Sequence, residues 1–169
     1  MEYGNAFDFP IWINRCGVLA GAGQFGKADQ GIFSYWIHSF KEKNTLKYIG
    51  FAGTGYQVRD AMHPKDLVPL LIRQIFEPNR EAPRTLNIGG GIENSLSLKE
   101  LSIWCEQRFG SNQVVSSLEE RPMDAPWIVM DSSVAQNAWN WKPKIGIKQI
   151  LEEIASFADD NPEWLCYTS

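Results

Sequence analysis

Apolar and polar positions along this 169-residue chain fall into alternating blocks of strand length and helix length. Phe9-Pro10-Ile11-Trp12-Ile13 is nearly continuously apolar, as a strand covered on both faces by helices requires. Between Gln30 and Lys43, Phe33, Trp36, Ile37 and Phe40 recur at three- and four-residue spacing, which predicts an amphipathic helix with Asp29 as its N-cap. Leu46-Lys47-Tyr48-Ile49 alternates and predicts a strand, which Gly50 to Gly55 turns back into a second strand, Tyr56 to Asp60, as a hairpin. Pro64 opens a helix to Phe76 that is expected to bury Leu67, Leu70, Leu71 and Ile75, with Pro69 kinking its first turns.

The second half continues the alternation. Pro78 to Pro83 is a polar linker, and Thr85-Leu86-Asn87-Ile88 is a short strand stopped at Gly89-Gly90-Gly91. Ser97-Leu98-Lys99-Glu100 is a capping box that opens a helix to Phe109, closed by Gly110. Val114 to Leu118 and Trp127 to Met130 read as strands around the turn Arg121-Pro122-Met123-Asp124. Asp131 caps a short helix broken at Trp139 to Pro143, Ile147 to Phe157 is a last amphipathic helix, and the segment from Asp159 is expected to fray. Residues 1–8 look like the end of a helix and its exit turn.

Everything is arranged around Asn14 to Gly31, the strand-to-helix connection NRCGVLAGAGQFGKADQG. Gly17, Gly21, Gly23 and Gly26 let its backbone turn sharply and approach a ligand closely. Loops beyond the carboxyl ends of strands in open α/β sheets are where small molecules bind, although a glycine-rich surface loop has the same composition.

Composition narrows the function classes. Apolar residues make up 44% of the chain, enough for one buried core. Sixteen Lys plus Arg against twenty Asp plus Glu give a net charge of -4 with no basic patch, which argues against nucleic acid or an anionic membrane as partner. No apolar run reaches bilayer-spanning length and no signal-peptide pattern opens the chain, so a cytoplasmic protein is expected. Cys16, Cys105 and Cys166 lack C-x-x-C spacing, and with only His38 and His63 beside them they read as reduced thiols rather than a metal site.

Arg59 ends a strand and Arg121 sits in a turn. Two guanidinium groups on separate loops suit a diphosphate clamp, because each can hold two phosphate oxygens in parallel hydrogen bonds. Salt bridges of Arg59 with Asp60, or of Arg121 with Asp124, are the competing reading. His63 has the chemistry of a general base, but its place before Pro64 favours a hydrogen bond at the helix entry.

Taken together, RCGVLAGAGQFGKADQGIF, GTGYQVRDAMHPKDL, LNIGGGIENSLSLKEL and RPMDAPWIVMDSS followed by WNWKP resemble the C-terminal half of an extended short-chain dehydrogenase/reductase acting on nucleotide sugars. QFGKADQG, QVRD and NSLSLKEL narrow the likeness to the branch of CDP-paratose 2-epimerases. The resemblance implies an α/β fold, the C-terminal part of a Rossmann-type architecture, with a few strands of the parallel sheet and a small mixed α/β substrate-binding subdomain. It implies that Arg59 and Arg121 hold the nucleotide diphosphate and that Asp124 meets the ribose or supports Arg121. Gln24 and Gln30 would line the sugar and nucleotide pocket, while Cys16 and Val18 would lie toward the NAD nicotinamide or the sugar. It further implies NAD as cofactor, transient oxidation and reduction of the sugar, and a nucleotide-diphosphate sugar as partner; a homo-oligomer is also expected, because unpaired strand edges and apolar faces invite self-association. The family's GxxGxxG fingerprint and YxxxK pair do not occur, since Tyr3, Tyr35, Tyr48, Tyr56 and Tyr167 all lack a lysine four positions on. Residues 1–169 are therefore expected to be a single substrate-binding part, without the NAD-binding half, inactive alone and with no catalytic residue of its own.

Overall fold

Two parallel strands, Ile13–Cys16 (β1) and Thr85–Ile88 (β5), open the architecture in a computed structural model that describes residues 2–28 and 30–167. A short helix, Glu2–Phe7 (α1), precedes them. The β1 ladder starts at Ile13, whose N–H donates to Arg84 O at 2.7 Å. Phe9 to Trp12 lie outside the strand, and the residues inside it alternate between exposed and half-buried. The predicted strand thus moves toward the glycine loop, consistent with Pro10 having no N–H to give a ladder.

A second sheet is centred on Val58–Met62 (β4). Val18–Leu19 (β2) runs parallel to it, Ser95–Ser97 (β6) antiparallel, and Trp127–Ile128 (β8) parallel. Leu46–Tyr48 (β3) does not form the expected hairpin with β4. It pairs in parallel with Val114–Ser116 (β7), while residues 51–53 make a 3-10 turn in which Phe51 and Ala52 have φ of 51° and 56°. Alternation fixes which face of a strand is buried but leaves its partner open.

Helix Ile32–Lys41 (α2) lies at the centre of the larger core. Phe33, Trp36, Ile37 and Phe40 pack against Leu101 and Cys105 of Leu98–Phe109 (α4) and against Ile150, Leu151 and Ile154 of Ile147–Asp160 (α6). Trp36 Nε1 and Tyr48 Oη share Ser102 Oγ at 2.9 and 2.7 Å, which satisfies both polar tips inside the core. Gly31 occupies the N-cap position of α2, and Asp29 lies outside the described residues. The capping box of α4 forms as expected, with Glu100 N donating to Ser97 Oγ at 3.1 Å and Ser97 N to Glu100 Oε2 at 2.7 Å. These hydrogen bonds hold the Glu100 carboxyl below the usual range.

A smaller core joins β1 and β5 to Pro64–Phe76 (α3) and Ser133–Trp139 (α5) through Met62, Leu70, Leu86, Ile88, Trp139 and Trp141. Ser132 occupies the N-cap position of α5, and Asp131 Oδ1 still accepts from Ser133 N at 2.9 Å. Leu70 is fully buried on α3, but the expected core residues Leu71 and Ile75 are 38% and 69% exposed. Val68, Ile72 and Phe76 continue this uncovered apolar arc. Up to Tyr167 the end of the chain is not frayed as expected: α6 runs on to Asp160, Trp164–Tyr167 forms a 3-10 turn and Trp164 packs on Phe25 and Phe157, while Thr168 and Ser169 lie outside the described residues.

Candidate functional site

A cavity of about 490 Å³ opens where the second sheet meets the start of α2 and the start of α4. Each wall has a local cause. Arg59 sits on β4 and Gln57 lies two residues before it, so strand alternation turns both toward one face. The capping box ends β6 and starts α4 at the cavity edge, bringing Leu96, Ser97 and Leu98 there. The turn from Arg121 to Asp124 supplies the facing wall, and Gln30 and Gly31 approach from the glycine loop.

Arg59 and Arg121 therefore line one cavity, although in different electrostatic states. Arg59 Nη2 pairs with Asp124 Oδ1, and its Nη1 donates to Val58 O at 2.6 Å. Asp124 Oδ1 also accepts from Ala125 N at 2.9 Å. Arg121 has no ion pair among the described residues. Its stem passes Gly50, where an added Cβ would stand 3.6 Å from Arg121 Cβ and Cγ. Neither salt bridge suggested by sequence proximity forms, and Asp124 steadies Arg59 rather than Arg121. Asp60 is 1% exposed and accepts from Gly91 N at 3.0 Å. Side chains of consecutive strand residues point to opposite faces, so Asp60 faces away from Arg59. The glycine run serves this buried carboxylate, since a Cβ at Gly89 would lie 2.4 Å from Asp60 Oδ2 and one at Gly90 would lie 2.0 Å from Ala61 O.

Of the other expected site residues, Gln30 and Val18 line the cavity, whereas Gln24 and Cys16 do not. Gln24 braces the glycine loop from beneath: its Nε2 donates to Leu19 O at 2.6 Å, and its backbone oxygen accepts from Ser34 Oγ at 2.7 Å and Trp164 Nε1 at 3.0 Å. Cys16 is half-buried, with its thiol toward Asn14 O at 3.8 Å and pushed up in pKa by burial. Gln57 and Met123 line the cavity without having been expected there. For Gln57 the two-residue spacing from Arg59 carried the signal, and for Met123 its place in the turn between Arg121 and Asp124 did.

Both histidines are structural. His63 Nδ1 accepts from Lys65 N at 3.0 Å as the N-cap of α3, and its Nε2 lies 3.2 Å from Glu153 Oε1. His38 is fully buried beside Phe157 with neither ring nitrogen hydrogen-bonded, and burial, followed by the charge of Lys41, lowers its pKa to about 4. Among the described residues, no group of three or more His, Cys, Asp or Glu side chains is placed to hold a metal ion, and no helix is long and apolar enough to cross a membrane.

A dinucleotide cradle needs backbone N–H groups at a glycine turn entering a helix. The glycine loop enters α2 at Gly31, but that turn opens on the arginine-lined cavity and not on β1 beside Cys16. Of the two expected cofactor contacts, Val18 lines this cavity and Cys16 does not.

Comparison with known proteins places this geometry in a family. The chain is similar to CDP-paratose 2-epimerase of Salmonella typhi, with 30% identity over 156 residues, 91% of this chain and 46% of that protein. Its fold matches UDP-glucuronic acid 4-epimerase from Bacillus cereus, solved with UDP-glucuronic acid and NAD, at a TM-score of 0.77 and 21% identity over 94% of this chain and 48% of that one. UDP-glucose 4-epimerase from Thermotoga maritima, solved with UDP-glucose, matches at a TM-score of 0.75 and 14% identity over 94% and 49%. At these identities the solved structures establish a shared Rossmann-type α/β fold. The chain spans about half the length of these proteins. The model of the NAD dependent epimerase/dehydratase family matches residues 1–89, more than half of the sequence. This chain belongs to the NAD dependent epimerase/dehydratase family.

Proposed function

We propose that this chain is the substrate-binding part of an NAD-dependent nucleotide-sugar epimerase and that its cavity grips the diphosphate of a CDP-hexose. One observation carries the reading: Arg59 and Arg121, from separate elements, line the same cavity, and the Arg121 guanidinium has no carboxylate partner among the described residues. A guanidinium at a cavity wall without a counter-charge favours an anionic ligand, and its planar donors match phosphate oxygens. Arg59, held by Asp124 and Val58 O, keeps further N–H donors for the same ligand. Gln30 and Val18 contact the ligand from the glycine-loop side. The CDP-sugar assignment is supported by the likeness to CDP-paratose 2-epimerase.

In this reading NAD supplies the hydride acceptor, as the NAD dependent epimerase/dehydratase family implies. This chain's own contribution is grip and orientation, which by themselves lower a barrier only when the reacting groups are present. The purified chain is therefore expected to bind without turnover.

Calorimetry with CDP-glucose and UDP-glucose tests the reading. Micromolar binding that Arg121→Ala and Arg59→Ala each weaken at least tenfold supports it, given that charge-assisted hydrogen bonds contribute about 1.5–3 kcal/mol. Failure of the wild-type chain to bind either nucleotide sugar would overturn it, and tighter binding of UDP-glucose would move the parent to a 4-epimerase or dehydratase. Turnover of a CDP-hexose by the chain alone would refute the inactivity.

A second reading, a self-associating interaction module, has its own support in the uncovered arc Val68, Leu71, Ile72, Ile75 and Phe76 on α3. Among the described residues β1 also pairs with β5 alone, which leaves a strand edge open. Stable oligomers with no nucleotide affinity would favour this reading.

A further inference from the structure

We infer that Trp164 is a positioning residue, a latch from the C-terminal segment that fixes the glycine loop over the cavity. The loop has a root and a tip. At the root, Phe25 lies flat on Trp164 with ring centroids 5.2 Å apart and planes 8° from parallel, and Trp164 Nε1 donates to Gln24 O at 3.0 Å. At the tip, Lys27 and Gln30 close a tight hairpin through backbone hydrogen bonds of 2.7 and 3.3 Å. The hairpin places Ala28 and Gln30 on the cavity wall.

Gln24 Nε2 to Leu19 O and Ser34 Oγ to Gln24 O also tie the root, and Trp164 adds the ring on which Phe25 rests. Phe25 is 60% exposed despite its size, so the indole is the apolar surface it meets. Two glycines in the left-handed region bracket the segment, Gly23 with φ 73° and Gly31 with φ 69°. Such positions change conformation at low cost. Gly31 is also pinned sterically, since an added Cβ would lie 2.2 Å from Phe25 O, so the place of Phe25 and the entry into α2 are set together.

The latch is in turn anchored to the core. Trp164 meets Phe157 of α6 edge to face at 5.0 Å and 87°, and Phe157 packs edge-on against buried His38 of α2 at 6.2 Å. A chain of aromatic contacts therefore runs from the α2–α6 core, through the C-terminal turn, to the loop that forms one wall of the site. Trp164 acts on the ligand only through this loop.

That the latch tunes affinity rests on the nucleotide-sugar reading; that it orders the loop does not. Amide hydrogen exchange and CDP-glucose calorimetry on the full chain separate the two, using Trp164→Ala, Trp164→Phe and Phe25→Ala. Phe25 is exposed, so its variant tests the stack without disturbing the core. The expected result is faster exchange at residues 24–31 in both alanine variants with α6 unchanged, and partial recovery in Trp164→Phe, which keeps a ring but loses the N–H. Affinity for CDP-glucose is expected to fall about tenfold in Trp164→Ala, 1.4 kcal/mol by the usual conversion. Unchanged exchange at 24–31 in both alanine variants would overturn the latch. Faster exchange in a chain that binds no nucleotide sugar would uphold the latch and defeat the functional reading.

Discussion

Arg59 and Arg121 show how much two residues of one type can differ once folded. The first is paired with Asp124, while the second has no ion pair among the described residues. Arg121→Lys is accordingly expected to retain part of the nucleotide-sugar affinity as a point charge, and Arg121→Ala to lose more, measured as dissociation constants at two salt concentrations. His38 makes the opposite argument, about a group with nothing to do. Its pKa is about 4 in the fold against 6.5 when unperturbed, so the unfolded chain binds a proton between these values and the native one does not. Stability is then fully present above pH 6.5 and is lost as pH falls toward 4, an effect of about 3 kcal/mol over the window. Urea denaturation of His38→Leu at pH 7 and pH 4.5 is expected to show a variant as stable as the parent at pH 7 and more stable at pH 4.5. Neither residue's fate was written locally: the spacing of Arg59 from Asp60 suggested a pair that strand geometry forbids, and the true partner came from a distant turn.

Elements with short-range signals formed where the pattern put them. The α3 helix spans the expected Pro64–Phe76, and α4 begins at its capping box and ends at Gly110. Removing the N-cap by Ser97→Ala is expected to cost about 1 kcal/mol at pH 7 in denaturant midpoints, and to flatten the acid dependence that Glu100 adds. The sign follows from the depressed Glu100 carboxyl: its contribution is present above the unfolded carboxyl pKa and disappears as pH falls through the folded one. Burial within an element was less legible. On α3, Leu71 and Ile75 look as apolar as Leu70, yet only Leu70 is covered. Ile75→Lys is expected to change stability by no more than about 0.5 kcal/mol and to reduce self-association in sedimentation, whereas Leu70→Ala is expected to cost about 2–5 kcal/mol. Pairing was the least legible of all, because β3 and β7 meet across a long stretch of intervening chain.

At the scale of the whole molecule, the larger core borders a cavity whose walls come from residues 18–33, 57–59, 96–101 and 121–124. Ligand that binds only the folded state stabilises it by mass action. CDP-glucose at about a hundred times its dissociation constant is therefore expected to add about 2.7 kcal/mol, read as a rise of roughly 5–10 °C in melting temperature. The same addition should move Arg121→Ala about half as far, because a tenfold weaker site leaves the ligand at about ten times its dissociation constant and adds about 1.4 kcal/mol.

The sequence alone determined the α/β class, the α3 helix, the α4 helix with its capping box, the glycine connection and the two arginines, because each rests on residue chemistry or on a period read within a few positions. Tertiary structure decided which of Arg59 and Arg121 has no ion pair among the described residues, that Gln24 braces the loop instead of lining the cavity, and that Trp164 returns to hold Phe25. Those outcomes depend on groups brought together from remote parts of the chain. Local spacing specifies the shape of an element and the face it buries, but not the partner that face meets.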